Sequence, residues 1–265
     1  MADTVLVSDL ITYLRCPRLV YFANLKNYRE PGERDVDARY LAHLLSKELA
    51  LTYHHAAAST GEDVAEVLQT ELDRIVNELP IIYRSELAGV DHSMIRDAAE
   101  SIDTDEIGLR ITEVIRKTGR DELLARITPC AVEYAIYSNA LGIAGSPDKL
   151  VQPGDRVLPY MIRTGNKPEN GVWKPDRLQI TAYAMLVEER FEQAVEYGFV
   201  EYARFFEIRK VVLKSRDRRR VLELRNRVRM IKGGRMPDRV QGAPCELCAF
   251  KEDCVAKRSL ASKLW

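Results

Sequence analysis

Four cysteines constrain this chain more than any other feature. The segment PCELCAFKEDC, residues 244–254, carries Cys245, Cys248 and Cys254 in the spacing C-x2-C-x5-C. Thiols packed this densely read as part of a metal centre, and such centres take four ligands. Two other cysteines exist, Cys130 and Cys16. Cys130, in RITPCAVEYAIY, precedes an apolar run and reads as a small buried hydrophobe. Cys16 lies in SDLITYLRCPRLVYF, where a helix capped by Ser8 is expected to end against Pro17. A thiol at a helix end beside a proline is well placed as a ligand. Cys16 is therefore the expected fourth, and the two chain ends must then meet across 229 residues (245 − 16). Four thiolates suit an iron–sulfur cubane or a tetrahedral zinc ion, and the spacing leaves both open.

The rest of the chain has to bring those ends together. Its 265 residues suffice for one large domain or a domain with an appended lobe. It has no run of 18 apolar residues, and the start MADTVLVSDL lacks the pattern of a signal peptide. A soluble, cytoplasmic protein is expected, a setting in which clustered cysteines bind metal more often than they form disulfides. Residues 1–55 read as helices, with Leu41, Leu44, Leu45 and Leu49 on one face and His43 among them. Residues 60–127 read as a helical lobe without a catalytic signature. From 131 the pattern changes: VEYAIYS, LGIAGSPDKLV, RVLPYMIR, GFVEYARFF and IRKVVL read as strands, with PDRLQITAYAMLVEERFEQAV as an amphipathic helix between them. The order implies an α/β fold with helices around a sheet, and the short loops SNALG and QPGDR imply hairpins, hence a mixed sheet.

Charge is unevenly spread. Lys and Arg equal Asp and Glu at 40 each, yet residues 209–239 hold 13 Lys and Arg against 3 acids, a local +10. Val221, Leu224, Val228 and Ile231 define one face of a helix there, with arginines over much of the rest. Such an excess fits a polyanion, although part of it is an ordinary solvated face.

Taken together, SDLITYLRCPRLVYF, ARYLAHLLSKEL, GSPDKL, LPYMIRTG, QITAY and CELCAFKEDC resemble, in order and spacing, the RecB-like PD-(D/E)xK nucleases with an iron–sulfur cluster, the CRISPR-associated exonucleases of the Cas-four type in particular. The resemblance implies a single nuclease-fold domain over 1–265: N-terminal helices (1–55), a helical lobe (56–128), an α/β nuclease core (129–214), and a basic helix with a cysteine segment (215–265). It implies that Cys16, Cys245, Cys248 and Cys254 hold a 4Fe-4S cluster stapling the two ends. It implies a Mg2+ or Mn2+ site built from His43 and Asp148, with Glu133 on the preceding strand as an associated acid. It further implies that Gln179 and Tyr183, four apart on one helix face, border the active site and touch DNA. Arg218, Arg219 and Arg225 are the expected phosphate contacts of the basic helix, and Trp173 a residue that packs or stacks on a base.

One strand departs from the pattern. Where the family has an acid, any residue, then lysine, this chain has Met161-Ile162-Arg163. A thioether is a poor ligand for hard Mg2+, and arginine does not readily release a proton. The expectation is a DNA-binding protein, acting on single strands or ends in CRISPR adaptation or repair beside an integrase, with weakened catalysis and Arg163 in the lysine's place. Two alternatives stay open: an active exonuclease drawing its second carboxylate from Glu133 or Asp155, and a structural subunit without DNA contact. Oligomeric state is open too.

Overall fold

The computed structural model describes residues 4–25, 36–60, 63–243 and 245–254. A two-residue strand β1 (Val5–Leu6) leads into helices α1 (Val7–Arg15) and α2 (Pro17–Leu25). Ser8 does not cap α1, contrary to expectation: it lies inside the first turn, and the Asp9 carboxylate instead accepts from the Leu6 amide at 2.8 Å. The stop at Cys16 is as expected, with Cys16 extended and Pro17 opening α2.

Five helices follow: α3 (Ala38–Ala58), α4 (Val64–Ile82), α5 (His92–Ala99), α6 (Thr104–Thr118) and α7 (Arg120–Ile127). The first four of these start on an aspartate, Asp37, Asp63, Asp91 or Asp103, whose carboxylate accepts a backbone amide of the first turn. The α4–α7 helices pack on α3, which buries Leu41, Leu45, Leu49, Ala50 and Tyr53. Thus α3 carries the lobe on one side and reaches the sheet on the other.

The strand runs divide more finely than the sequence suggests. VEYAIYS splits between β2 (Pro129–Val132) and β3 (Ile136–Ser138), and LGIAGSPDKLV between β4 (Ile143–Gly145) and β5 (Lys149–Val151). The breaks fall at Glu133, whose φ is +47°, and at Ser146-Pro147. Each half joins a different sheet. One sheet has the order β1-β4-β3; the other runs β2-β5-β6-β7-β8, with β6 (Leu158–Arg163), β7 (Tyr197–Tyr202) and β8 (Glu207–Val212). Both expected hairpins form, β3–β4 and β5–β6, and β6 pairs with β7 in parallel, so the large sheet is mixed. A parallel pair needs a crossover, supplied by α8 (Lys174–Phe191).

Helix α8 is not amphipathic in the way expected. From Leu178 to Val187 nearly every side is buried, against β6 and β7, β3, α1 and the last helix, α9 (Ser215–Lys232). Cys130 is another correction: it is exposed rather than buried. The β2–β5 register shifts between Pro129 and Ala131, leaving Cys130 as the extra residue turned outward on an edge strand.

Candidate active site

Three elements meet where β5 begins. Asp148 sits at the crossing from the small sheet to the large one. Its carbonyl accepts from the Glu133 amide at 3.0 Å, and its Oδ2 accepts from the Ile162 amide of β6 at 2.7 Å. Glu133 therefore stands directly across the ladder from Asp148. A side chain at φ +47° is strained, and strain of this kind concentrates at functional positions.

Between the two acids lies a residue that the sequence reading missed. Lys47 of α3 reaches Glu133 Oε1 at 2.6 Å and Asp148 Oδ1 at 3.6 Å. Burial works against its charge, but the Asp148 and Glu133 carboxylates more than offset this and hold its pKa above the ordinary lysine value. Nothing local marks Lys47 in the sequence, because a charged residue on a helix is commonplace. The available signal was its spacing of four from His43, which puts both on one helix face. His43 is exposed, and its Nδ1 pairs with Thr164 Oγ1 at 2.5 Å just beyond β6.

The altered strand looks different in three dimensions. Met161 is fully buried, and no acid replaces it on β6. Arg163 is tied to other partners: its Nε donates to Asp176 Oδ1 at 2.7 Å and its Nη2 to Gln179 Oε1. Gln179 Nε2 in turn donates to the Tyr183 hydroxyl at 3.1 Å. Burial, with the Asp148 charge adding to it, raises the pKa of Tyr183. The expected helix pair thus forms a chain from Arg163 toward Asp148. Asp155 does not join the site. It is exposed in the β5–β6 turn, beyond the Val151–Leu158 pair, about 10 Å or more along the strand.

Lys149, next in sequence to Asp148, points to the opposite face. It is fully buried, 3.4 Å from Glu201, whose Oε2 accepts from Tyr160 at 2.5 Å. Burial pulls the Lys149 pKa down in spite of Glu201.

Part of the basic helix is engaged with the rest of the protein, while Arg216, Arg219 and Arg227 are exposed. Arg218 Nη2 donates to Glu188 Oε1 and to the Val195 carbonyl, each at 2.8 Å, and Arg225 Nη1 to the Leu141 carbonyl at 2.5 Å. Of the three expected phosphate contacts only Arg219 points freely to solvent. Trp173 is half exposed, its indole N–H tied to the Asn166 carbonyl at 3.1 Å.

At the far end, Cys16, Cys245, Cys248 and Cys254 line one pocket together with Arg18, Phe22, Arg239 and Phe250. Arg18 Nη1 donates to Cys254 Sγ at 3.2 Å, and Phe22 stacks on Phe250 with centroids 5.6 Å apart. Four thiols have the donor chemistry of a thiolate-held centre. Among the described residues, no group of three or more His, Cys, Asp or Glu side chains gathers tightly enough to chelate a single ion. No helix among them is long and apolar enough to cross a membrane.

The profile of the PD-(D/E)XK nuclease superfamily matches residues 5–255, nearly the whole chain. The chain belongs to the PD-(D/E)XK nuclease superfamily. Within curated proteins, this PD-(D/E)XK chain is 32% identical over 133 residues, 50% of its length, to an uncharacterized protein of Archaeoglobus fulgidus, of which the match spans 59%. It is 29% identical over 130 residues, 47% of its length, to a CRISPR-associated exonuclease Cas4/endonuclease Cas1 fusion of Myxococcus xanthus, of which it spans 23%. A candidate exonuclease from Eubacterium rectale, known from a crystal structure, overlaps 85% of this chain and 93% of its own at 13% identity and a TM-score of 0.36. At that level the likeness decides nothing. The mixed sheet flanked by helices is in keeping with the superfamily.

Proposed function

We propose that this chain is a metal-dependent deoxyribonuclease acting at Glu133 and Asp148. The observation that carries the reading is the pair itself: two carboxylates face each other across the β2–β5 ladder with a lysine between them. Hard oxygen donors suit Mg2+ or Mn2+, which bind through one or two carboxylates and keep several waters. Asp148 and Glu133 would hold the ion, with His43 on the Lys47 face of α3. An ion there would supply an activated water and neutralise phosphate charge. Hydrolysis by water would break the bond from phosphorus to the leaving oxygen, which would gain one of the water's protons as the new oxygen–phosphorus bond forms. Tyr183 and Gln179 keep Arg163 fixed beside the reacting strand, while Arg219 offers a phosphate contact outside it.

The likeness to the Myxococcus xanthus fusion supports a finer reading, in which the chain trims DNA ends for an integrase. In the same reading Cys16, Cys245, Cys248 and Cys254 hold a 4Fe-4S cluster, or else zinc.

A second reading, binding without cleavage, is favoured by one observation: Met161 puts no oxygen on β6, and Arg163 is committed to Asp176 and Gln179. A Mn2+-dependent assay on anaerobically purified protein with linear single- and double-stranded DNA decides. Cleavage that falls on the order of 10²-fold or more in both Asp148→Asn and Glu133→Gln is expected. Salt-sensitive DNA binding without cleavage would overturn the enzyme reading in favour of the second.

A further inference from the structure

The ammonium of Lys47 stands between the two carboxylates that would hold a divalent ion in the reading above. Its Nζ lies 2.6 Å from Glu133 Oε1, within hydrogen-bond contact, and 3.6 Å from Asp148 Oδ1. The other Asp148 oxygen is already taken by the Ile162 amide at 2.7 Å. Lys47 and a metal ion would therefore compete for the same lone pairs. Among the described residues Lys47 is the cation paired with these acids, since Arg163 is engaged by Asp176 and Lys149 by Glu201 on the other face.

Resting on the nuclease reading above, we infer that Lys47 is a displaceable counter-ion that becomes the phosphate-facing cation of the site. Without metal it neutralises part of the paired negative charge. When a divalent ion takes the carboxylates, the ammonium is repelled from them, because like charges a few ångströms apart oppose each other by an amount that solvent only partly screens. Its long flexible stem lets it swing while α3 stays anchored by Leu44, Leu45 and Leu49. The nearest new anion is the scissile phosphate. Lys47 thus takes the place of the strand lysine that Arg163 does not fill. It comes from a helix, and it arrives only once the metal has bound.

This makes two effects of opposite sign. Removing Lys47 strengthens metal binding and slows cleavage. A residue that merely held the fold would weaken both. The test titrates Mn2+ calorimetrically into the whole protein, without DNA, for the wild type, Lys47→Met and Lys47→Gln, with Asp148→Asn marking loss of the site. Single-turnover cleavage of a linear oligonucleotide at saturating Mn2+ is measured on the same samples, and thermal melts confirm folding of each.

Expected for both neutral variants is a Kd on the order of 5- to 10-fold tighter, from the removal of one competing charge in a half-exposed site. The rate should fall about 10²-fold, as for loss of a transition-state charge contact. Unchanged or weaker Mn2+ binding overturns the inference, as does an unchanged rate at saturation. In either case cleavage that still depends on Asp148 leaves the nuclease reading standing. A wild type that does not cleave overturns that reading, and the role of Lys47 with it.

Discussion

Glu133 is held in a left-handed conformation, φ +47°, that a residue with a Cβ avoids by about 1 kcal/mol. Its side chain is 58% exposed, so the Lys47 pair contributes little to stability, under about 1 kcal/mol. Glycine relieves the strain and alanine does not. Both lose the carboxylate. Glu133→Gly should therefore be more stable than Glu133→Ala by about 1 kcal/mol in urea denaturation, with both variants equally slow on DNA. Equal stability of the two would show that the backbone there is not held left-handed. The residues of this site differ in how visible they are in the sequence. Asp148 stands out because glycine and proline shape the GSPDK turn around it. The loss of the usual acid and lysine at Met161 and Arg163 is equally plain. Lys47 was invisible because its partners lie 86 and 101 residues further on (133 − 47 and 148 − 47). Only the fold of α3 against the β2–β5 edge brings them together.

Helix α9 shows, at the next scale, that composition does not tell which arginines are free: Arg216, Arg219 and Arg227 are exposed, and others are engaged. Its arginines read as a surface for a polyanion, yet several act as internal ties. Arg225 holds the β3–β4 hairpin by the Leu141 carbonyl, and Arg229 lies over Gly142, where any Cβ would run into its guanidinium. Gly142 also needs φ +59°, the constraint that selects glycine, since a guanidinium tip can move aside. Burial lowers the pKa of Arg225, with Arg229 adding to the effect. Arg219, by contrast, stands in solvent. Arg225→Ala should thus lose about 1–2 kcal/mol of stability by removing a charged donor from a half-buried carbonyl. Arg219→Ala should leave stability within about 0.5 kcal/mol and reduce the salt slope of DNA binding by about one. Paired denaturation and filter-binding curves check both. Reversed results would place the DNA surface on the Arg225 side. The strands misread for a related reason. An apolar run records burial but not which sheet does the burying, so the changes of sheet at Glu133 and at Ser146-Pro147 left no trace in the periodicity.

At the scale of the whole molecule, Cys16 and Phe22 line one pocket with Cys245, Cys248 and Cys254, the approach that a shared four-cysteine centre would require. The contact has two separable sources. One is protein packing: Phe250 is buried and stacks on Phe22, and Arg18 reaches both Cys254 and the Pro237 carbonyl, the latter at 3.0 Å. Burying one phenylalanine contributes about 2–3 kcal/mol, a modest hold for a segment whose other described residues are exposed or only partly buried. The other, under the proposed reading, would be a centre on the four thiols. A link across 229 residues (245 − 16) removes about 5 kcal/mol of unfolded-chain entropy if the chain-entropy account of cross-links applies. The two sources predict different sensitivities. If a centre carries most of the closure, Phe250→Ala should leave the C-terminal segment protected from protease in anaerobically purified, metal-loaded protein. The same change in Cys16→Ser, which lacks the fourth thiol, should release the segment at once while the nuclease core stays folded. Bound iron or zinc should fall in Cys16→Ser in parallel, by elemental analysis, and loss of a brown colour would identify iron. Protection in the Cys16→Ser single variant that matches wild type would assign the closure to Phe22, Phe250 and Arg18 alone. The four thiols would then be neighbours without a shared ligand.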